Sequence, residues 1–380
     1  MTQKLTSTML TSLASSKLTG ALPAISGSSL TDAPGGSGAT VSSSNPLITT
    51  NPAGGVGSLW SNSTTGEFFV CTVATTDLNV WVNVGDGSGN VSLKIFGYTA
   101  GGSPSSNVLG NVIDKFTFGT RNTSTDHGDL TTSRYHNSGQ SSATDGYTSG
   151  GHPTSDVIDK FSFTSTANST DHGNLSTARH GTAGQQSSTH GYVSGGSHPT
   201  YTNVIDKFTF GSANNATDHG DLTVGRLHVA GQSSSTQGFI SGGYIGSSAG
   251  ENVIDKFNFS SNVTATDHGD LSIARWSGPA GQYSSTDGYT SGGYAAPTYY
   301  NIIDKFAFSS NVTATDHGDL SELKSGSAGQ SSTTDGYTSG GELGATVSNV
   351  VEKFSFGSAN NSVSHTNLTV ARSYPAGTQY

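Results

Sequence analysis

The chain has 380 residues, a formal net charge of −10, only 11% charged residues, 52 glycines and a single cysteine. Its 16 Lys and Arg form no basic stripe, which excludes a phosphate-backbone binder, and Cys71 alone excludes a disulfide framework or a multi-thiolate zinc site. No run reaches the roughly 18 apolar residues of a membrane span, and the glycine and hydroxyl content suits tight turns and closely stacked strands, so the composition reads as all-β.

Residues 1–51 are rich in Ser, Thr, Gly and Pro, with short apolar punctuation. The start, Met1-Thr2-Gln3-Lys4-Leu5, carries a lysine, but Thr and Ser interrupt the stretch through Ala14, which makes a poor signal peptide. This composition predicts an extended arm that orders on a partner, followed by a flexible linker over 35–51. Within the arm, Lys17-Leu18-Thr19-Gly20-Ala21-Leu22-Pro23-Ala24-Ile25-Ser26-Gly27-Ser28-Ser29-Leu30-Thr31 resembles a segment of the tail-fibre proteins of tailed bacteriophages. That resemblance implies attachment to other virion proteins through residues 1–51, and commonly a homotrimer.

Residues 52–90 predict a small β module. Gly57-Ser58-Leu59-Trp60 and the alternating Gly66-Glu67-Phe68-Phe69-Val70-Cys71-Thr72-Val73 precede Asn79-Val80-Trp81-Val82-Asn83-Val84. The pattern resembles small carbohydrate-binding or fibre-adaptor modules. With so few apolar residues available, Trp60 and Trp81 are expected to form the module's core, and Cys71 to be a buried small hydrophobe.

From residue 91 onward the chain repeats itself. Asn-Val-Ile-Asp-Lys-Phe recurs with its acidic residue at Asp114, Asp159, Asp206, Asp255, Asp304 and Glu352, at intervals of 45, 47, 49, 49 and 48 residues. A period near 50 fits one propeller blade of four strands. The first predicted strand is the Ala-Gly-Gln-Ser-Ser stretch and the second is Gly-Tyr-Thr-Ser-Gly-Gly. The third is Val-Ile-Asp-Lys-Phe-x-Phe, and the fourth lies around Gly-Asp-Leu-Thr after a Thr-Asp-His-Gly turn. In the third strand Val112, Asp114, Phe116 and Phe118 share one side, with Ile113 and Lys115 on the other, as a sheet covered on both faces requires. There are six copies of the second, third and fourth strands, but the first unit lacks a first strand, and the sixth copy of that strand is Ala376-Gly377-Thr378-Gln379-Tyr380. The C-terminal strand is therefore expected to complete the first sheet, which removes exposed edges.

The aromatic before a di-glycine, the acidic-x-aromatic third strand, and Arg134, Arg179, Arg226, Arg275 and Arg372 after the fourth strand resemble kelch-type propellers over residues 91–380. The chain departs from the usual pattern in lacking the blade tryptophan, and Lys324 replaces one arginine. The fold expected is all-β: a six-bladed kelch-like β-propeller closed by the C-terminal strand, after a small β module and an extended arm.

Comparison of the repeats with each other shows where the chain varies. The acidic residue and the leucine of the fourth strand are always 16 residues apart, whereas di-glycine to the next acidic residue runs 12, 8, 10, 12, 11 and 11. Length variation thus sits in the second-to-third loops, which an up-and-down sheet places on the same side as the fourth-to-first connections. Those connections carry Tyr135, His136, His180, Leu227, His228, Trp276 and Tyr374. The variable loops carry His152, Tyr201, Tyr244, Tyr294, Tyr299 and Tyr300, with His198 beside them. Aromatics on variable loops above a rigid scaffold suit binding, and the competing reading is that they pack their own loops.

Five Asp-His pairs, from Asp126-His127 to Asp316-His317, could in principle order a metal, but each unit offers one histidine only, so a structural role in the turn is expected. Asp114-type carboxylates are expected to pair with Arg134-type guanidiniums. No catalytic couple stands out among Glu251, Glu322 and Glu342. Copper-radical oxidases share the kelch architecture, but the cysteine they crosslink is absent from the repeats. The expectation is a virion appendage protein, not an enzyme, without cofactor or metal, made in the host cytoplasm, exposed on the virion and binding host-surface glycan or protein. The alternatives are a capsid- or tail-decorating protein that binds virion components only, and a secreted carbohydrate-active enzyme.

Overall fold

The structure, a computed structural model, describes residues 39–63, 67–84, 95–105, 108–246 and 250–380. The arm over residues 1–38, with the tail-fibre-like segment, lies outside the described residues. Two compact units divide between Val91 and Ser92. All regular elements among the described residues are strands.

The described residues of the first unit form one four-stranded sheet. Thr40–Ser42 runs parallel to Leu59–Asn62, which pairs antiparallel with Phe68–Val73, itself antiparallel to Val80–Asn83. Residues 40–42 fall in the segment expected to be linker. They join the sheet because its edge offers unpaired backbone groups, and the following residues stay attached: Asn79 Nδ2 donates to the Ile48 carbonyl at 2.9 Å and to Asn51 Oδ1 at 2.8 Å. Phe69, Cys71 and Trp81 form a small buried core, with Trp60 edge-on to Trp81 at 5.9 Å.

The described residues of the second unit form six four-stranded antiparallel sheets and a two-stranded hairpin, Tyr294–Ala295 with Thr298–Tyr299. One sheet is Ser138–Ser141, Asp145–Ser149, Val157–Ser162 and Thr170–Asn174, in chain order. Four others repeat this order within their own stretch of chain. The remaining sheet combines Ala376–Gln379 with Phe96–Ala100, Val112–Thr117 and Thr125–Asp129, so the last strand of the chain lies beside the first strand of the unit. The fourth strand differs from expectation: Thr-Asp-His-Gly lies within it and not in the turn before it. A bulge after Ile113 and its equivalents absorbs one residue there, with Gly128 at φ +135° and its N–H bonded to Asp126 Oδ1 at 2.9 Å.

Successive sheets are joined by five kinds of contact, each repeated. First strands approach so closely that a Cβ on Gly139 would stand 2.1 Å from the Gly377 carbonyl oxygen. The same holds for Gly184 against Gly139, Gly231 against Gly184, Gly281 against Gly231, Gly329 against Gly281, and Gly377 against Gly329, so the contact order returns to its start. Only glycine fits at these six positions. Beside them the buried amides of Gln140, Gln185, Gln232, Gln282 and Gln330 each donate to a second-strand carbonyl of the next sheet. The sixth sheet-to-sheet step has Thr378 in place of the glutamine, with its hydroxyl buried and unpartnered.

Farther out, Tyr98, Tyr147, Tyr192, Tyr289 and Tyr337 donate their hydroxyls to the carbonyls of Phe163, Phe210, Phe259, Phe356 and Phe118 in the following sheet. Phe239, the sixth, stacks on Phe308 at 4.5 Å without a hydroxyl. The histidine of each Asp-His-Gly or its variant is bonded through Nε2 to a neighbouring-sheet carbonyl, from His127 with Ser162 at 2.7 Å to His365 with Thr117 at 2.7 Å. These rings are structural joints.

The fifth contact is ionic. Arg134 pairs with Asp159 at 3.0 Å, Arg179 with Asp206 at 2.9 Å, Arg226 with Asp255 at 3.2 Å, Arg275 with Asp304 at 3.0 Å, Lys324 with Glu352 at 2.7 Å, and Arg372 with Asp114. Each cation lies in the connection entering a sheet, and its carboxylate lies on that sheet's third strand. Where the shorter lysine replaces arginine, the longer glutamate replaces aspartate, so the reach across the gap is kept. Every carboxylate is fully buried and also accepts from the residue after the fourth-strand leucine, as Asp159 does from Thr131 N and Oγ1 at 3.1 and 2.7 Å. A buried pair of this kind holds register more than it adds stability, but losing one partner is costly.

Candidate ligand-binding site

The residue after each buried cation makes an antiparallel bridge to the residue after the di-glycine of the sheet being entered. The pairs are Tyr135 with His152, His180 with Ser197, Leu227 with Tyr244, Trp276 with Tyr294, Ser325 with Glu342, and Ser373 with Ser103. Backbone pairing thus brings the fourth-to-first connections and the variable second-to-third loops into one surface. The scaffold beneath is nearly identical in all six sheets; the side chains it presents are not.

The next residue in each connection has left-handed backbone: His136, His228, Ser277 and Tyr374 at φ +57°, +57°, +60° and +54°, and Gly181 and Gly326 at +69° and +60°. Such a φ costs an L-residue roughly 1–2 kcal/mol and glycine almost nothing. The two glycines are explained by the rings beside them. A Cβ on Gly181 would lie 2.9 Å from the His228 ring, and one on Gly326 would lie 2.8 Å from the Tyr374 ring. Three rings therefore share the space of six positions, and the chain bears strain to keep them there.

Backbone hydrogen bonds tie these positions together. His136 N donates to Tyr374 O at 2.9 Å, Gly181 to His136 at 2.9 Å, His228 to Gly181 at 2.7 Å, Gly326 to Ser277 at 3.1 Å and Tyr374 to Gly326 at 2.6 Å. Between His228 and Ser277 no such bond forms, where the connection is one residue longer. A cavity of about 100 Å³ lies among His136, His228, Tyr374 and the first-strand glycines.

Ring contacts join nearly all the residues expected to bind ligand. His136 meets Tyr374 at 3.9 Å and stacks on His228 at 4.5 Å, and His228 stacks on Trp276 at 6.4 Å. Tyr135 contacts His152 at 5.0 Å, and His152 reaches His180 at 5.6 Å. On the other side Trp276 touches Tyr244 at 4.7 Å and Tyr294 at 5.4 Å, which lead to Tyr201 at 5.7 Å and Tyr299 at 4.7 Å. Leu227 and Tyr300 stand apart. Leu227 is buried and contributes packing, and Tyr300 is half-buried with no aromatic partner among the described residues. Of this set only Tyr201 is widely exposed; most of the other rings are half-buried and pack against one another.

Burial governs the ionisation of this surface. His228 is pushed down to about 3, first by loss of solvent and then by His180. His136 lies well below the usual histidine range for the same reason, with His228, His180 and His152 adding to it. Burial also pushes the Tyr374 phenol up, so it stays protonated, and it donates to Glu342 Oε2 at 2.9 Å while Ser277 Oγ lies 2.7 Å from it. Around that hydrogen bond lies a recess of about 730 Å³, walled by Ser103, Tyr135, Glu342, Thr346, Ser373 and Tyr374.

Sequence reasoning passes over Glu342 as a binding residue, because it considers this side chain only as a catalytic acid although it sits in a second-to-third loop like the aromatics. It also passes over Tyr283 at the opposite end of the first strands. There the Tyr283 hydroxyl accepts from Gln379 Nε2 at 2.8 Å and from Gln186 Nε2, beside a cavity of about 380 Å³. The signal is present in the sequence, because Tyr283 alone breaks the Ser-Ser pattern at that position with an aromatic. Among the described residues no group of three or more His, Cys, Asp and Glu side chains could hold a metal ion. No protein-family model matches the chain, and no match emerges from a search of curated proteins.

Proposed function

We propose that the second unit is a closed, six-bladed, kelch-like β-propeller and that the protein is a non-enzymatic virion appendage that binds a host-surface glycan or protein through one rim. The cyclic order of glycine contacts and ion pairs supports closure. The pairing of the last strand with the first strand of the unit supports it too. The observation that carries the binding role is the division of labour between the two ends of the blades. One end repeats the same polar turns, while the other joins length-variable loops to a continuous surface of Tyr, His and Trp, with large side chains kept in left-handed backbone. Strain retained where glycine is tolerated in the same chain points to use of the side chain.

The virion assignment rests on the resemblance of residues 17–31 to tail-fibre proteins, and the non-enzymatic one on the sequence, in which no couple stands out among Glu251, Glu322 and Glu342. Several copies on one particle would convert weak contacts into avidity. The test is binding of the full chain to glycan arrays and to host-envelope preparations, with light scattering before and after removal of residues 1–38. Binding to glycan or envelope by a multimer that dissociates on truncation supports the proposal. Binding to purified virion components alone favours the decorating-protein alternative.

A further inference from the structure

The six bridge pairs on the variable rim do not vary at random. Going round from Tyr135, four consecutive pairs carry at least one aromatic ring, and the last two, Ser325 with Glu342 and Ser373 with Ser103, carry none. These two are neighbours, and the recess of about 730 Å³ opens between their sheets. Its size lies in the range of small-molecule sites. Elsewhere on the rim rings contact one another, and another recess, of about 560 Å³ among Leu109, Thr131 and Thr154, has no carboxylate in its lining. Here the symmetry of the repeat is broken, and the polar groups converge.

The lining specifies the ligand's chemistry. Among the described residues that line it, Glu342 is the only charged group, with no Lys or Arg. Tyr374 fixes that carboxylate through Oε2, which leaves Oε1 to accept from a ligand. A carboxylate only accepts hydrogen bonds, so it suits hydroxyl donors and rejects phosphate, sulfate or another carboxylate by charge repulsion. Ser105, Thr346 and Ser373 supply hydroxyls that donate or accept, Ser103, whose hydroxyl donates to the Ser105 carbonyl, can still accept, and Tyr135 and Tyr374 supply ring surface for the apolar side of a pyranose. We propose that this recess is the primary saccharide subsite and that it takes uncharged sugars and excludes sialylated, uronic or phosphorylated ones. The inference rests on the binding role argued above and adds the location and the charge class.

The test is binding of the full chain to trisaccharides built from glucose, galactose and N-acetylglucosamine, set against 3′-sialyllactose and a phosphorylated oligosaccharide. Four proteins are compared: the unchanged chain, Glu342→Gln, Ala345→Trp and Trp276→Ala. Ala345 is an exposed loop residue of the recess, so a tryptophan there blocks it without entering the core. The side-chain amide introduced by Glu342→Gln can still accept from Tyr374, and thermal melts confirm that each variant folds. The expected result is at least tenfold preference for neutral sugars. Glu342→Gln and Ala345→Trp should each lose at least tenfold, and Trp276→Ala, on the aromatic part of the rim, should lose less than either. Preference for the anionic sugars, or loss with Trp276→Ala while both recess variants bind normally, overturns the inference and leaves the rim as a binding surface. Failure of the unchanged chain to bind any glycan or host-envelope preparation overturns the binding role as well.

Discussion

Replacement of Asp159 by asparagine tests whether the buried ion pairs hold neighbouring sheets together. Asp159 is fully buried and accepts from Arg134 Nη2 at 3.0 Å and from Thr131 N and Oγ1 at 3.1 and 2.7 Å. The asparagine amide keeps one acceptor oxygen for Thr131 but removes the anion that is paired directly with a guanidinium 1% exposed. The Thr148 carbonyl, at 3.0 Å, is then the main acceptor left to Arg134, whose Nε and Nη1 have none even before the change. Stranding one member of a buried pair costs about 3–5 kcal/mol. At about 2 °C per kcal/mol for a unit of this size, the melting temperature should fall by about 6–10 °C. The double change Asp159→Asn with Arg134→Met removes both charges and should recover most of that loss. The assay is calorimetric or denaturant unfolding of the four proteins of the cycle. A loss below about 1 kcal/mol for Asp159→Asn, or no recovery in the double variant, would refute the reasoning.

Three further outcomes follow from the same contacts. Gly231→Ala would put a methyl group 2.3 Å from the Gly184 carbonyl oxygen, on backbone that cannot yield, and should destabilise by about 1–3 kcal/mol or abolish soluble expression; Gly344→Ala, with nothing within 4 Å but φ +85°, should cost only about 1 kcal/mol, and thermal melts compare the two. Removal of residues 374–380 deletes the strand paired with Phe96–Ala100 and the Arg372-to-Tyr374 connection's anchor; cooperative unfolding should disappear in calorimetry, and its survival would count against closure. The histidines give the pH dependence. His228 has a depressed folded value near 3, so the unfolded chain takes up its proton first, at about 6.5. Its contribution is complete above about pH 6.5 and is lost as pH falls toward 3, at about 1.4 kcal/mol per pH unit. Stability measured by denaturant between pH 7 and 5 should therefore fall, and less steeply in His228→Gln.

Much of this architecture is legible in the sequence because it is written six times. The near-50-residue period, the four strands per unit and the placement of the missing first strand at the C-terminus all come from counting. The pairing of third-strand acids with arginines is also readable, since both recur at fixed intervals. The position of Asp-His-Gly is not, because a bulge inside a strand and a turn before it share the same glycine and polar residues. The linker expected over 35–51 rests on composition alone, and composition does not register that a short strand such as Thr40–Ser42 can be held by a sheet edge.

What the sequence determined by itself is the set of local, repeated choices: strand alternation, small residues where strands converge, and a varied set of side chains on one group of loops. What only the tertiary structure decided is which copy meets which. Arg372 meets Asp114 across 258 residues, His136, Gly181 and Tyr374 turn out to be equivalent left-handed positions, and Glu342 gains its meaning from Tyr374 and Ser103. The physical reason is that these contacts are set by the packing of one sheet against the next. A period within the chain does not report which side chains then compete for the same space.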